Sequence, residues 1–297
     1  MRGAAPRLIT DLSPISKAVG LFLLAIAVLS VMDAVAKYLT STYAPMQVVW
    51  ARYCGQLFWS SLVLAGSLKL VAQTKNIGLQ LLRSAFLFGA TLSFFSGMPH
   101  LQLAEMNAIF DVAPLIITIL SVLVLREVVG IRRWLGVLIG LSGALIIVRP
   151  GTEAFSPYSI YPLMAALCFA SYAITTRFLS EGEPAVISFL FTALVGAIVA
   201  SLLVLPVWST PSLQDGLIML FFGGLGGIGH FFMILAFQRA ETSLLAPFSY
   251  FGLFFNALWG FLFFAEVPAA HTILGAAVIV GAGLYVWWRE RLAQGAP

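Results

Sequence analysis

Apolar residues in this chain run together for about twenty positions at a time, and the polar residues gather between the runs. Roughly 20 mostly apolar residues is the length an α-helix needs to cross the ~30 Å hydrocarbon core of a bilayer at ~1.5 Å per residue. Ten such runs are read, at 17–40, 45–66, 78–99, 105–125, 131–149, 158–180, 184–207, 215–237, 243–264 and 271–288. The connectors between them are short, so consecutive helices are expected to pack as antiparallel neighbours. Arg2, Arg7 and Lys17 precede the first run as they would a signal peptide. No clear small-residue cleavage site follows it and further spans do, so it is expected to be retained.

Composition removes the soluble alternatives. The 297 residues are 61% hydrophobic and 9% charged, against about 45–50% and about 25% in soluble domains. So few polar residues cannot coat a globular core, whereas a bilayer removes the need for the coat. The 26 glycines fit the higher glycine content of membrane helices. A net charge of +4 without a basic block gives no nucleic-acid-binding face. Cys54 and Cys168 sit inside apolar runs and read as small core residues, not as a disulfide or a metal site. No cofactor motif is expected.

Lys and Arg orient the spans, because cytoplasmic loops are enriched in them. With ten spans and a cytoplasmic N-terminus, the cytoplasmic side holds Arg2, Arg7, Lys17, Lys69, Lys75, Arg83, Arg126, Arg132, Arg133, Arg177, Arg239, Arg289 and Arg291, and the outer side only Arg149. Lys37 and Arg52 fall within spans. One missed helix would scramble every later loop, so this bias supports ten spans with both termini cytoplasmic, in a bacterial-type inner membrane.

The chain also repeats itself. Ala104-Glu105, Pro114, Glu127 and Gly136 return as Ala240-Glu241, Pro247, Glu266 and Gly275, with the alanines 136 apart and the later Glu and Gly pairs 139 apart. Ala44-Pro45 and Glu183-Pro184 open spans two and seven at the same 139 spacing. Five spans per copy is an odd number, so the copies insert in opposite directions. The loop after Glu127 carries Arg132 and Arg133, while its counterpart after Glu266 (Val267 to His271) has no Lys or Arg. The expected fold is an all-α integral membrane protein of ten transmembrane helices in two inverted five-helix repeats, at 17–149 and 158–289. Inverted repeats place a substrate site near the mid-plane, where the halves meet.

These runs, together with Ala246-Pro247-Phe248-Ser249-Tyr250, Phe264-Ala265-Glu266-Val267-Pro268, Gly275-Ala276-Ala277 and Arg149-Pro150-Gly151, resemble EamA-type members of the drug/metabolite transporter superfamily over residues 20 to 290. The resemblance implies ten helices, a cytoplasmic-membrane location and, commonly, export of a metabolite. Amino acids, nucleotides and vitamins are among the solutes such proteins move. Ala265 and Arg126 stand where the family usually has Gly, which bears on the helix ends before Glu266 and Glu127.

A charge at mid-helix costs about 3 kcal/mol on the insertion scale, so each one needs a partner or a water-filled cavity. Asp33 and Lys37 are four apart and share a helix face. Arg52 lies about seven residues into span two, ~10 Å deep. Asp33 either pairs with Lys37 or Arg52, or faces a cavity and binds a substrate amine or a proton. Asn107 and Asp111 are four apart, shortly before Pro114. Asp111 is either neutralised by Arg52 or Lys37, or it faces the cavity. Gly224 to Gly229 reads as a G-x-G-x-x-G pattern. It lies inside a span with no strand before it, so it reads as a surface for close helix approach, as do Gly136 and Gly140. His230, at its end, faces a cavity or bonds to a neighbouring helix. The repeat pairs Asp33 with Tyr172 and His230 with Phe94, so Tyr172 is a further candidate. Ser171 and Thr175, with Ser249, Tyr250 and Asn256, are candidate hydrogen-bonding walls. Trp50 and Trp259 read as interfacial belt or packing residues, and Glu127 and Glu266 as helix-terminal architecture.

The leading expectation is an exporter of amino acids, aromatic ones included, working by alternating access. Asp33 or Asp111 would meet the amine, and Lys37, Arg52 or His230 the carboxylate. An importer of another metabolite, such as a vitamin or nucleotide derivative, uses the same architecture. A membrane enzyme on lipid-linked groups would carry a large loop and clustered polar residues at one face. The loops here are short and no catalytic motif is present, so no enzyme is expected. The partners expected are a small-molecule substrate and the bilayer, with protons as candidate coupling ions.

Overall fold

A computed structural model describes residues 14–63, 72, 74–126, 129–148, 157–179, 183–267 and 270–294. Among these the chain makes ten helical passes. They are α1 (Pro14–Thr40), α2 (Pro45–Val63), α3 (Ile77–Gly97), the broken pass α4 (Leu103–Phe110) and α5 (Ala113–Leu120), α6 (Ile131–Val148), α7 (Ile160–Leu179), α8 (Ala185–Leu203), α9 (Leu213–Arg239), the broken pass α10 (Thr242–Leu245) and α11 (Phe251–Phe264), and α12 (Ala270–Gln294). Six passes are by themselves long and apolar enough to cross a bilayer: α1, α3, α4 with α5, α7, α8 and α9. α2 has the length, but its hydropathy is lowered by Gln47, Arg52 and Gln56, all of them buried.

The molecule is turned inside out relative to a soluble protein. Arg52, Arg83, Gln47 and Gln80 are fully buried, while Leu62, Leu123, Ile131, Phe221 and Phe263 are exposed. Arg is rarely fully buried in water-soluble folds. Lipid in place of water on the outer face explains both halves of the inversion.

Both broken passes contain a proline of the repeat, and the break follows from its chemistry. Proline has no N–H and its ring clashes with the carbonyl four residues earlier. Pro114 therefore starts α5 afresh, leaving Asp111 and Val112 between α4 and α5. Pro247 converts the ninth pass to a 3₁₀ turn over Ala246–Tyr250 before α11 begins. Each broken pass also ends on a left-handed residue. Arg126 (φ 56°) and Ala265 (φ 53°) are the positive-φ non-glycine residues among those described. They lie 139 positions apart, at the two places where the resemblance leads one to expect Gly. Left-handed backbone at a helix C-terminus is glycine's usual role. Glu127 lies outside the described residues.

Helix packing exchanges the halves. α1 packs mainly on α9 and α3 on α7, while α6 lies against α12 and α2 against α8. Shifting each pass by five maps these contacts onto one another. The glycines of α9 work as close-approach surface. A Cβ on Gly223 would sit 2.4 Å from the Cα of Gly55, so the backbones of α2 and α9 meet there, and Gly229 seats Leu29 of α1. Gly140 of α6 receives the ring of Tyr250 in the same way.

Candidate functional site

A cavity of about 120 Å³ lies among α1, α2, α3, α4, α7, α9 and the ninth pass. Asp33, Arg52, Asn107, Asp111, His230 and Ser249 all line it. The proline breaks deliver two of these: Asp111 terminates α4, and Ser249 sits in the 3₁₀ turn. Discontinuous helices at a repeat interface are a recurring way to expose polar groups at mid-membrane. The rest of the wall is largely aromatic. Phe94 and Phe110 meet edge to face at 5.3 Å, and Phe110 and Phe169 lie at 5.3 Å. Phe94, the repeat counterpart of His230, lines the same cavity.

Several polar atoms around the cavity have no hydrogen-bond partner among the described residues. Arg52 is fully buried. Its Nη1 donates to Thr91 Oγ1 at 2.6 Å and its guanidinium lies 4.5 Å from the centre of the Tyr53 ring, while Nε and Nη2 are unpaired. Asp111 Oδ2, His230 Nδ1 and Asn256 Oδ1 are also buried and unpaired. Leaving such a group unsatisfied costs about 1–3 kcal/mol, more when it is charged. The four residues that carry these atoms, Arg52, Asp111, His230 and Asn256, all line the one cavity. Asp33 differs, because Asn256 Nδ2 donates to its Oδ2 at 3.3 Å.

Three candidates from the sequence lie elsewhere. Lys37 forms an ion pair with Glu266 at the end of α11 and lies 5.3 Å from the Phe264 ring. Helix sharing put Lys37 on the face of Asp33, but a carboxylate from the other half of the chain reaches it. Tyr172 is fully buried behind the cavity, accepting from Arg83 Nη2 at 3.1 Å and meeting His230 edge-on at 6.2 Å. Tyr250 donates to the carbonyl of Val137 at 3.2 Å and so ties the ninth pass to α6. Ser171 and Thr175 bond back to carbonyls of their own helix. Trp259 donates to Ser30 Oγ at 2.9 Å, a packing contact between the halves. Trp50 meets Trp208 edge to face.

Sequence reading missed a second polar centre. Arg83, counted above with the loop charges, is fully buried in α3. Its Nε donates to Thr176 at 2.8 Å, and its Nη1 to the Ser188 carbonyl at 2.9 Å and to Thr192. Gln80, one turn earlier, donates to both Ser188 and Glu183. Glu183, between α7 and α8, also accepts from the Thr74 hydroxyl and from the backbone N–H groups of Lys75 and Asn76. Burial pushes its carboxyl up, but these four donors outweigh burial and hold it below the usual carboxylate range. The depth of Arg83, six residues into a span, was the available signal.

Residues 16–149 match the family described as EamA-like transporters. Over 280 residues the chain is 28% identical to an S-adenosylmethionine uptake transporter of Rickettsia felis, covering 93% of this chain and 94% of the relative. It is 30% identical to a pseudopaline exporter of Pseudomonas aeruginosa over 84% of this chain and 89% of the relative. It is 29% identical to a riboflavin transporter of Brucella anthropi over 72% and 78%. A crystal structure with 19% sequence identity superposes with a TM-score of 0.76 over 91% of this chain and 97% of its own, a likeness of fold alone. Relatives of this similarity, spanning nearly the full length, place the chain in the EamA-like family of the drug/metabolite transporter superfamily, among the membrane transporters of small molecules.

Proposed function

We propose that this protein carries a metabolite with an amino-acid headgroup and an apolar or aromatic body across the inner membrane by alternating access. The observation that supports this most directly is the pairing, in one aromatic-walled cavity, of a guanidinium with two free donors and a carboxylate with a free oxygen. Arg52 suits the solute's carboxylate and Asp111 its amine, while Phe94, Phe110 and Phe169 suit an aromatic body. We assign the cavity to the interface of two inverted repeats, 17–149 and 158–289, and both termini to the cytoplasm. The exchange-related packing of the helices and the paired left-handed ends support that assignment. A role as an enzyme is disfavoured because the polar groups lie at depth, surrounded by helices of both halves. The direction we propose is export. Uptake is the second reading, favoured by relatives named for uptake of S-adenosylmethionine.

The test is uptake into proteoliposomes of labelled amino acids, nucleosides, riboflavin and S-adenosylmethionine, with Arg52→Gln beside the wild type. Saturable carriage of one class, lost in the folded variant, supports the reading. Carriage of none removes it. A proton is the candidate coupling ion, and an imposed pH gradient that changes neither rate nor final accumulation would leave facilitated transport. For orientation, cysteines introduced at Lys69 and Gly130 should be labelled only from the cytoplasm, and those at Glu153 and Pro211 only from outside, after Cys54 and Cys168 are replaced. The reverse labelling would overturn the assignment of sides.

A further inference from the structure

Three charged side chains line the cavity: Asp33, Arg52 and Asp111, with His230 as a further titratable group. Tyr172 and Arg83 stand behind His230, and Lys37 lies one turn above Asp33, paired with Glu266. Asp33 is provided for within the protein. It accepts from Asn256 Nδ2 at 3.3 Å. Asp111 is not. It is 2% exposed, its Oδ2 has no partner, and it forms no ion pair within 4 Å among the described residues. Lys37, the other basic residue near this level, is held by Glu266. By formal charge the cavity lining therefore holds two carboxylates, Asp33 and Asp111, and one guanidinium, Arg52.

The surroundings of that carboxylate point the same way. Phe110 directly precedes Asp111, and its ring is bracketed by Phe94 and Phe169. The faces of aromatic rings attract cations, and the attraction grows when water is excluded. A lone carboxylate beside clustered aromatic rings is the chemistry that holds an ammonium, guanidinium or sulfonium group.

We propose that the cavity selects solutes carrying one net positive charge, organic cations with an amino-acid headgroup, and that Asp111 is the residue that makes the selection. This rests on the transport reading above and narrows it: a zwitterion balances Arg52 and Asp111 by turns, while a solute with one further positive charge leaves the whole cavity neutral. In a medium with little water to screen it, that difference is felt in full.

The test uses two matched pairs in proteoliposomes, S-adenosylmethionine against S-adenosylhomocysteine and L-lysine against L-norleucine. The members of each pair differ chiefly by one positive charge. The wild type is expected to carry the cationic member of at least one pair about ten-fold better or more, the worth of one charged hydrogen bond. Asp111→Asn, close in shape, should slow both members, because the amine loses its partner, but should slow the cation more and so bring that ratio to within about three-fold. Asp111→Glu should keep the preference, and it guards against a folding defect in the first variant. Equal carriage of both members by the wild type, or a preference that survives Asp111→Asn, overturns the charge rule and leaves the transport reading standing. Carriage of none of the four by the wild type overturns both.

Discussion

Two arginines are fully buried among the described residues, and their surroundings differ in kind. Arg83 has each of its nitrogens donating, to Thr176, Ser188, Thr192 and Tyr172, and it sits where α3, α7 and α8 pack together. Arg52, which lines the cavity, has one nitrogen bonded, to Thr91, and two without a partner among the described residues. Both pay the same desolvation on leaving water. At Arg83 the protein returns hydrogen bonds for it, so the charge holds helices together. At Arg52 that return is incomplete, and the proposed solute carboxylate would supply it. On the proposed reading, burial alone does not mark a transport residue; burial with unmet hydrogen-bonding capacity does.

The sharpest way to break this contrast is to remove each cation in turn and measure transport and stability separately. Arg52→Leu should cut transport about 100-fold or more, since deleting one partner of a buried charge contact costs 2–5 kcal/mol. Thermal unfolding in detergent should show no loss of stability, because an apolar side chain replaces an unsatisfied charge. Arg83→Leu should do the reverse. It strands Tyr172 and the Ser188 carbonyl, so a loss of about 3 kcal/mol in stability is expected, with transport per folded molecule within a few-fold of wild type. A transport loss at Arg83 as deep as that at Arg52, in folded protein, would merge the two centres into one.

Acidification sharpens the comparison on the side of Arg83. The folded protein holds Glu183 below its ordinary value of about 4.3. The stability this adds is present at neutral pH and is lost as pH falls through the lowered value. The wild type should therefore weaken below pH ~4, and Glu183→Gln should be less stable at neutral pH and show less of this acid dependence. Unfolding midpoints measured from pH 7 downwards would check it; parallel curves for the two proteins would contradict it. The smallest effect is expected far from both arginines. Ala265→Gly relieves a left-handed alanine and should raise stability by about 1 kcal/mol without altering transport. A destabilised glycine variant would mean that the α11 terminus gains more from the alanine methyl than it loses in backbone strain.

Much of the fold was legible before any coordinates. A spanning helix is specified locally, by twenty apolar residues in a row, so most passes could be placed within a few residues, while the breaks at Pro114 and Pro247 emerged only in the folded chain. The family's Gly positions were legible as well, though their meaning became clear only with the left-handed angles at Arg126 and Ala265. The glycines of α9 were readable as close-approach surface because the absence of a side chain is a property of one residue. Candidates for the site were legible too, because a charged or amide side chain in a hydrocarbon span is costly wherever it points. Asp33, Arg52, Asn107, Asp111 and His230 stand out for that reason alone.

Which of these groups meet one another was a different matter. Helical spacing suggested Lys37 as the partner of Asp33, four residues away. The structure gives Lys37 to Glu266, more than two hundred residues along the chain, and gives Asp33 to Asn256. Tyr172 and Tyr250 look like cavity residues in the sequence. In the folded chain they face Arg83 and Val137. Hydropathy acts on each segment against the bilayer and is written along the chain. Hydrogen bonds and ion pairs act between segments at about 3 Å, and a rotation of one helix by a single residue, ~100°, exchanges every partner on its face. The sequence by itself determined that the chain spans a membrane ten times and which side chains are too polar to face lipid. Only the packing of α1, α2, α4, α9 and α11 decided that Arg52 and Asp111 open onto a shared cavity while Lys37 and Arg83 are held by the protein itself.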